Sequence, residues 1–167
     1  MGIWTATPRT WVAGEVPTAT HFNDNLRDFA RGFTDAWTSY TPTLTASTTN
    51  PTNWTQTGYY MQAGKLVICK FKITAGGSMT SGSGAYRIAL PVNANVTVGD
   101  IEPGMCVGVD NNTSAFAMLA PYITNTAYVQ LGYAATYLGA ATVVAHNAPW
   151  TWAANDVIRG TIIYEAA

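Results

Sequence analysis

Charge is what this chain has least of. Only 10% of its 167 residues are Asp, Glu, Lys or Arg, and the formal net charge is −1; an average soluble domain carries about 25%. So neutral a chain offers no electrostatic case for nucleic acid or an anionic membrane as partner. Histidine is nearly absent too: His21 and His146 fall in separate elements without metal-ligand spacing, so no metal centre is predicted. Cysteine occurs twice, at Cys69 and Cys106, each inside a strand-like run. Two buried thiols or one disulfide would both fit, and no disulfide framework is present. There is no G-x-S-x-G elbow, phosphate loop or dinucleotide fingerprint; Ser83 stands only in Gly82-Ser83-Gly84. Asp100 and Glu102 are the one close carboxylate pair in the strand-rich region, and a solvated strand edge explains them better than a calcium site or a glycosidase pair. The expectation is therefore no enzyme, no catalytic residues, no metal and no cofactor. The start, Met1-Gly2-Ile3-Trp4, lacks the basic and apolar regions of a secretory signal. The charge-free span 111–155 is interrupted by Asn, Gln, Thr and Pro, so it is no membrane helix, and a soluble chain is expected.

The charges that exist are unevenly placed. Residues 1–35 hold seven of them: Arg9, Glu15, Asp24, Arg27, Asp28, Arg31 and Asp35. Residues 1–17, with Pro8, Gly14 and Pro17, read as an extended arm. Thr18 or Thr20 can then cap one short α-helix, because a Thr hydroxyl accepts from the free amides of a first turn. Phe22, Leu26, Phe29 and Phe33 follow at spacings of 4, 3 and 4, an a/d seam. That stripe fits either a fold-back onto the chain's own β-domain or a short helical bundle on a symmetry axis. A helix this short must dock on something.

From Trp37 onward the pattern is strands. Thr, with 25 copies, and Gly, with 15, give a strand-and-loop composition. Val67, Cys69, Phe71 and Ile73 alternate with Lys70 and Lys72, which predicts one buried and one solvated face. Further candidates are Trp37–Thr45, Ala85–Leu90, Met105–Val109, Ala115–Leu119, Ala127–Tyr133, Ala141–Ala145 and Asp156–Tyr164, with loops at 47–53 and through the Gly/Ser tract 76–84. Short strands at this spacing predict a mainly β chain, an antiparallel, jelly-roll-like β-sandwich, rather than βαβ units. The expected domains are 1–36, an arm and helix, and 37–167, a β-sandwich head. Low charge with 48% apolar residues implies that much surface is covered, most simply by identical subunits. Aromatics offer a second theme. Trp150 and Trp152 would share one strand face, and with Tyr133 and Tyr137 they are candidate glycan-binding residues, because a pyranose face stacks on rings while its hydroxyls find amide partners. The competing reading places these rings in the core.

The runs Thr10-Trp11-Val12-Ala13-Gly14-Glu15-Val16-Pro17-Thr18-Ala19, Phe22-Asn23, Leu26-Arg27-Asp28 and Ala36-Trp37-Thr38-Ser39-Tyr40-Thr41-Pro42-Thr43-Leu44 carry a resemblance. So do Gly58-Tyr59-Tyr60-Met61-Gln62-Ala63-Gly64-Lys65-Leu66-Val67 and Ser83-Gly84-Ala85-Tyr86-Arg87-Ile88-Ala89-Leu90-Pro91-Val92. Over roughly residues 8–92 the chain resembles tailed-phage virion proteins of actinobacterial phages, of the minor tail, tail-fibre, head-fibre or decoration kind. The resemblance implies a non-enzymatic structural protein located in the virion, with a homotrimeric β-head and an N-terminal segment that docks on capsid or tail proteins. On that reading Trp4, Trp11, Val12, Val16, Phe22, Leu26 and Phe29 anchor the chain, and Phe33 and Trp37 join helix to head. The alternative expectation is a host-surface glycan-binding adhesin.

Overall fold

The computed structural model describes residues 12–23, 36–97, 104–134 and 141–167. The chain is mainly β. A short helix, α1 (Ala19–Phe22), precedes ten strands: β1 (Thr38–Tyr40), β2 (Leu44–Ala46), β3 (Thr52–Ala63), β4 (Leu66–Thr80), β5 (Tyr86–Ala89), β6 (Gly104–Asp110), β7 (Ala115–Asn125), β8 (Tyr128–Ala134), β9 (Ala141–Val143) and β10 (Val157–Glu165). They form one antiparallel sheet in the order β1-β3-β4-β10-β6-β7-β8-β5-β2, with β9 on β8.

Long apolar alternation makes the centre. Val67, Cys69, Phe71 and Ile73 are buried, while Lys70 and Lys72 are exposed. The β3–β4 hairpin turns at Gly64, whose φ of +59° is the left-handed conformation that a tight two-residue turn requires. Parts of two stretches expected as loops are strand: β3 begins at Thr52 and β4 runs to Thr80, paired with each other. A bulge makes this extension possible. Asn53 adopts φ +58° and its amide donates to the Ser78 carbonyl at 2.8 Å, and the absent side chain of Gly76 lets the Asn53 carbonyl approach. The opposite departure occurs at Trp37–Thr45, where Thr41-Pro42-Thr43 splits one expected run into β1 and β2.

The sheet bends back on itself. Its outermost strands, β1 and β2, are joined only by residues 41–43, so its two edges are neighbours. β7 carries the bend: up to Leu119 it pairs with β6, and from Ala120 it pairs with β8. Side chains from distant strands consequently meet. Trp54 of β3 lies 6.2 Å from Tyr86 of β5 and 5.9 Å from Trp152, ring centre to ring centre. Glycines on the inner face make room for rings. The Tyr40 ring lies over Gly58, where a Cβ would come within 2.5 Å of it, and a Cβ at Gly108 would meet the Trp150 and Trp152 indoles at 3.3 Å.

Among the described residues one charged side chain is buried, Asp156. Its carboxylate accepts from the amides of Asn111 at 3.0 Å and Ala153 at 2.8 Å, and its own carbonyl accepts from Ala75 N–H at 2.9 Å. Asn111 Nδ2 also donates to the Asn155 carbonyl. Asp156 thus ties the β6–β7 loop, the turn before β10 and the middle of β4 to one point.

Candidate functional site

Two regions carry the residues singled out above. The first is the N-terminal segment. Glu15 N–H donates to the Val12 carbonyl at 3.0 Å, closing a turn with Gly14 at φ +84°. Thr18 is the N-cap: its hydroxyl accepts from His21 N–H at 3.3 Å, and His21 Nδ1 accepts from Thr18 N–H at 3.2 Å. This is a reciprocal capping box with histidine in the place usually held by Glu or Gln. None of the α1 residues is buried, and Val12 and Val16 are 70% and 80% exposed, with Phe22 about half exposed. Trp37 leads into β1 and lies on the outer face of the sheet, with Lys70 Nζ 4.4 Å from its ring centre. Trp4, Trp11, Leu26, Phe29 and Phe33 lie outside the described residues, as do Tyr137, Asp100 and Glu102.

The second region is a groove of about 570 Å³ lined by Ala115, Phe116, Ala117, Met118, Tyr133, Pro149 and Trp150. It brings together Tyr133 and Trp150, two of the four candidate glycan residues. It does not include Trp152. That indole is 2% exposed, donates from Nε1 to the Ala145 carbonyl at 2.9 Å and packs against Tyr86 and Trp54. As a glycan-stacking residue Trp152 is therefore corrected: its ring belongs to the core and has no face to offer. Trp150 and Trp152 do not sit on a strand either; both lie in the irregular connection between β9 and β10, with ring centres 5.1 Å apart. The Trp150 N–H is buried without a hydrogen-bond partner among the described residues.

Phe116 and Met118 were not singled out from the sequence. The signal was there, in the alternation Ala115-Phe116-Ala117-Met118, but alternation alone turns the large side chains inward. Here the small ones line the inner side, where Trp150 and Trp152 fill the space, and the large ones face out.

Chemically the described residues are quiet. No three His, Cys, Asp or Glu among them are placed to hold a metal ion. His146 Nδ1 accepts from Gly84 N–H at 3.3 Å, a structural bond. Cys69 and Cys106 are free and buried. They stand on β4 and β6, either side of β10, and two strand spacings, about 10 Å, exceed the reach of a disulfide. Burial pushes the Cys69 thiol up to about 11 and the Cys106 thiol up to about 12, which suppresses the reactive thiolate.

Comparison with family models, with curated proteins and with solved structures finds no match to this chain.

Proposed function

We propose that this chain is a phage virion structural protein, a short trimeric fibre or decoration module anchored by its N-terminal segment. The bent sheet is then a jelly-roll-like sandwich head that points outward. The observation that carries this reading is the exposure of Val12, Val16 and Phe22 in a segment whose capped helix start, Ala19–Phe22, has no buried residue. Such a segment gains stability only by docking on a partner. The sequence resemblance supplies the partner class, other virion proteins. Deleting residues 1–20 should leave a folded head that no longer enters particles, read by the protein content of purified virions. Normal incorporation of the truncated chain would overturn the anchoring claim.

The groove favours a second reading, a host-surface glycan adhesin, because it places Tyr133 and Trp150 beside one another. On that reading the head binds host cell-wall polysaccharide, and Trp150→Ala abolishes binding in a chain whose circular dichroism spectrum still shows a folded sheet. Binding that survives Trp150→Ala would remove the groove from consideration.

A further inference from the structure

The near-neutral total hides a local excess of one sign. Among the described residues three cations, Lys70, Lys72 and Arg159, stand together on the outer face of β4 and β10, all three exposed. Lys72 and Arg159 are cross-strand partners, and Lys70 follows two residues along β4, opposite Thr161. The separations are short, about 5 Å between strands and about 7 Å along one. None of the three forms an ion pair with a described carboxylate. Glu165 lies about 20 Å from Arg159 along β10 and is bonded to Lys65 at 3.0 Å. Asp156 is buried with its oxygens taken by Asn111 and Ala153, and Asp110 is closed in its own turn by Asn112 and Thr113. Like charges directly opposite one another on neighbouring strands work against the fold. In a chain with only 10% charged residues, such an uncompensated pair breaks a local rule of sheet design, and functional sites are where such rules are broken.

The neighbours of the cluster are rings and hydroxyls. Lys70 Nζ lies 4.4 Å from the Trp37 ring centre and 6.0 Å from that of Tyr59, which holds the ammonium in place without neutralising it. Both rings keep open surface, at 37% and 43% exposure. Thr57 pairs with Lys72 and Thr161 with Lys70, so hydroxyls from β3 and β10 border the cations on the same face. We infer that this β3–β4–β10 face binds an acidic polysaccharide, a chain of pyranose rings that carry carboxylates. The carboxylates neutralise Lys72 and Arg159, the latter through its forked guanidinium. Sugar hydroxyls pair with Thr57 and Thr161, and the apolar side of a pyranose lies against Trp37 or Tyr59. Because the cations are spread over an open face, a polymer with repeated charge engages several at once where a single acid engages one. Nucleic acid fits less well, since three cations neutralise few phosphates. An open-chain phosphate polymer would leave the two rings unused. The face shares no residue with the Tyr133–Trp150 groove, and it does not depend on the virion reading.

The test is calorimetric titration of the full chain with polygalacturonate at 50 mM and 200 mM salt. The wild type should bind, with an affinity that falls about tenfold between the two salts as counterion release requires. It should leave dextran, an uncharged polysaccharide, unbound. The triple variant Lys70→Gln, Lys72→Gln, Arg159→Gln should lose about tenfold or more in affinity at 50 mM salt, with an unchanged circular dichroism spectrum. Lys72→Glu guards against misfolding of the triple variant: it creates a cross-strand ion pair with Arg159, so its urea midpoint should rise while its affinity for polygalacturonate falls. Lys65→Gln removes one charge of the same sign outside the cluster and should bind as the wild type does. A wild type that ignores polygalacturonate, undiminished binding by the triple variant or by Lys72→Glu, or a loss in Lys65→Gln equal to that of the triple variant would each overturn the inference. A lowered urea midpoint in Lys72→Glu would do so too, since the two cations would then not repel. Tighter binding of poly(glycerol phosphate) or of a DNA duplex than of polygalacturonate would give the face to a phosphate polymer instead.

Discussion

Asp156 is the buried carboxylate on which the β6–β7 loop, the turn before β10 and β4 converge. Replacing it with Ala leaves the amides of Asn111 and Ala153 without their acceptor in a partly buried place. Each such orphan costs about 1–3 kcal/mol, so Asp156→Ala should lower unfolding stability by roughly 2–5 kcal/mol in urea titration. Asp156→Asn keeps one carbonyl oxygen and turns an amino group toward the other amide, so its loss should be intermediate. Equal stability of all three proteins would remove the keystone role. Two glycines separate conformation from space in the same assay. Gly64 has φ +59° and open surroundings, so Gly64→Ala should cost about 1 kcal/mol, the price of a left-handed backbone alone. Gly58 has no such φ, but its added Cβ would meet the Tyr40 ring at 2.5 Å, so Gly58→Ala should cost about 1–3 kcal/mol through overpacking. Stability unchanged by Gly58→Ala would mean that the ring moves aside freely.

At the scale of elements, β4 and β10 were legible before any coordinate. Val67, Cys69, Phe71 and Ile73 sit inside as their spacing requires, and Lys70 and Lys72 sit outside. The pattern worked there because both faces were marked, one by apolar residues and the other by charge. β7 has no charge to mark its outer face. Its alternation of Ala with Phe and Met was readable as a strand but not as an orientation, and orientation is what turned Phe116 and Met118 into surface. The helix start was legible at its cap, since Thr18 needs only its own first turn to act. The β3–β4 extension past Trp54 was hidden by composition. Asn, Thr, Ser and Gly read as loop, and only the Asn53 bulge, closed by its bond to Ser78, keeps the two strands paired.

For the whole molecule, the inner thiols and phenols set a limit at high pH. Cys69 and Cys106 titrate at an ordinary 9.0 when exposed, and burial raises them to about 11 and about 12 in the fold. Burial raises the Tyr40, Tyr86 and Tyr164 phenols as well. The unfolded chain therefore releases protons first. Their contribution is fully present below about pH 9 and is lost as pH rises through 9 toward 11–12. The urea midpoint should be level between pH 7 and 8 and fall steadily above pH 9, and a midpoint unchanged at pH 10.5 would show that these groups are not buried in solution. A thiol-specific dye at pH 8 should likewise report no reactive cysteine until denaturant is added. The sequence by itself determined the mainly β character, most strand positions, the capped start of the helix and the two-part charge distribution, because each depends on neighbours a few residues away. The tertiary structure decided which rings are core, which side of β7 meets solvent, and that Tyr133 and Trp150 border one groove. Those outcomes depend on how far-separated segments fill each other's space: Trp152 is core because Trp54, Tyr86 and Gly108 leave it a berth, and that berth pushes Phe116 and Met118 outward.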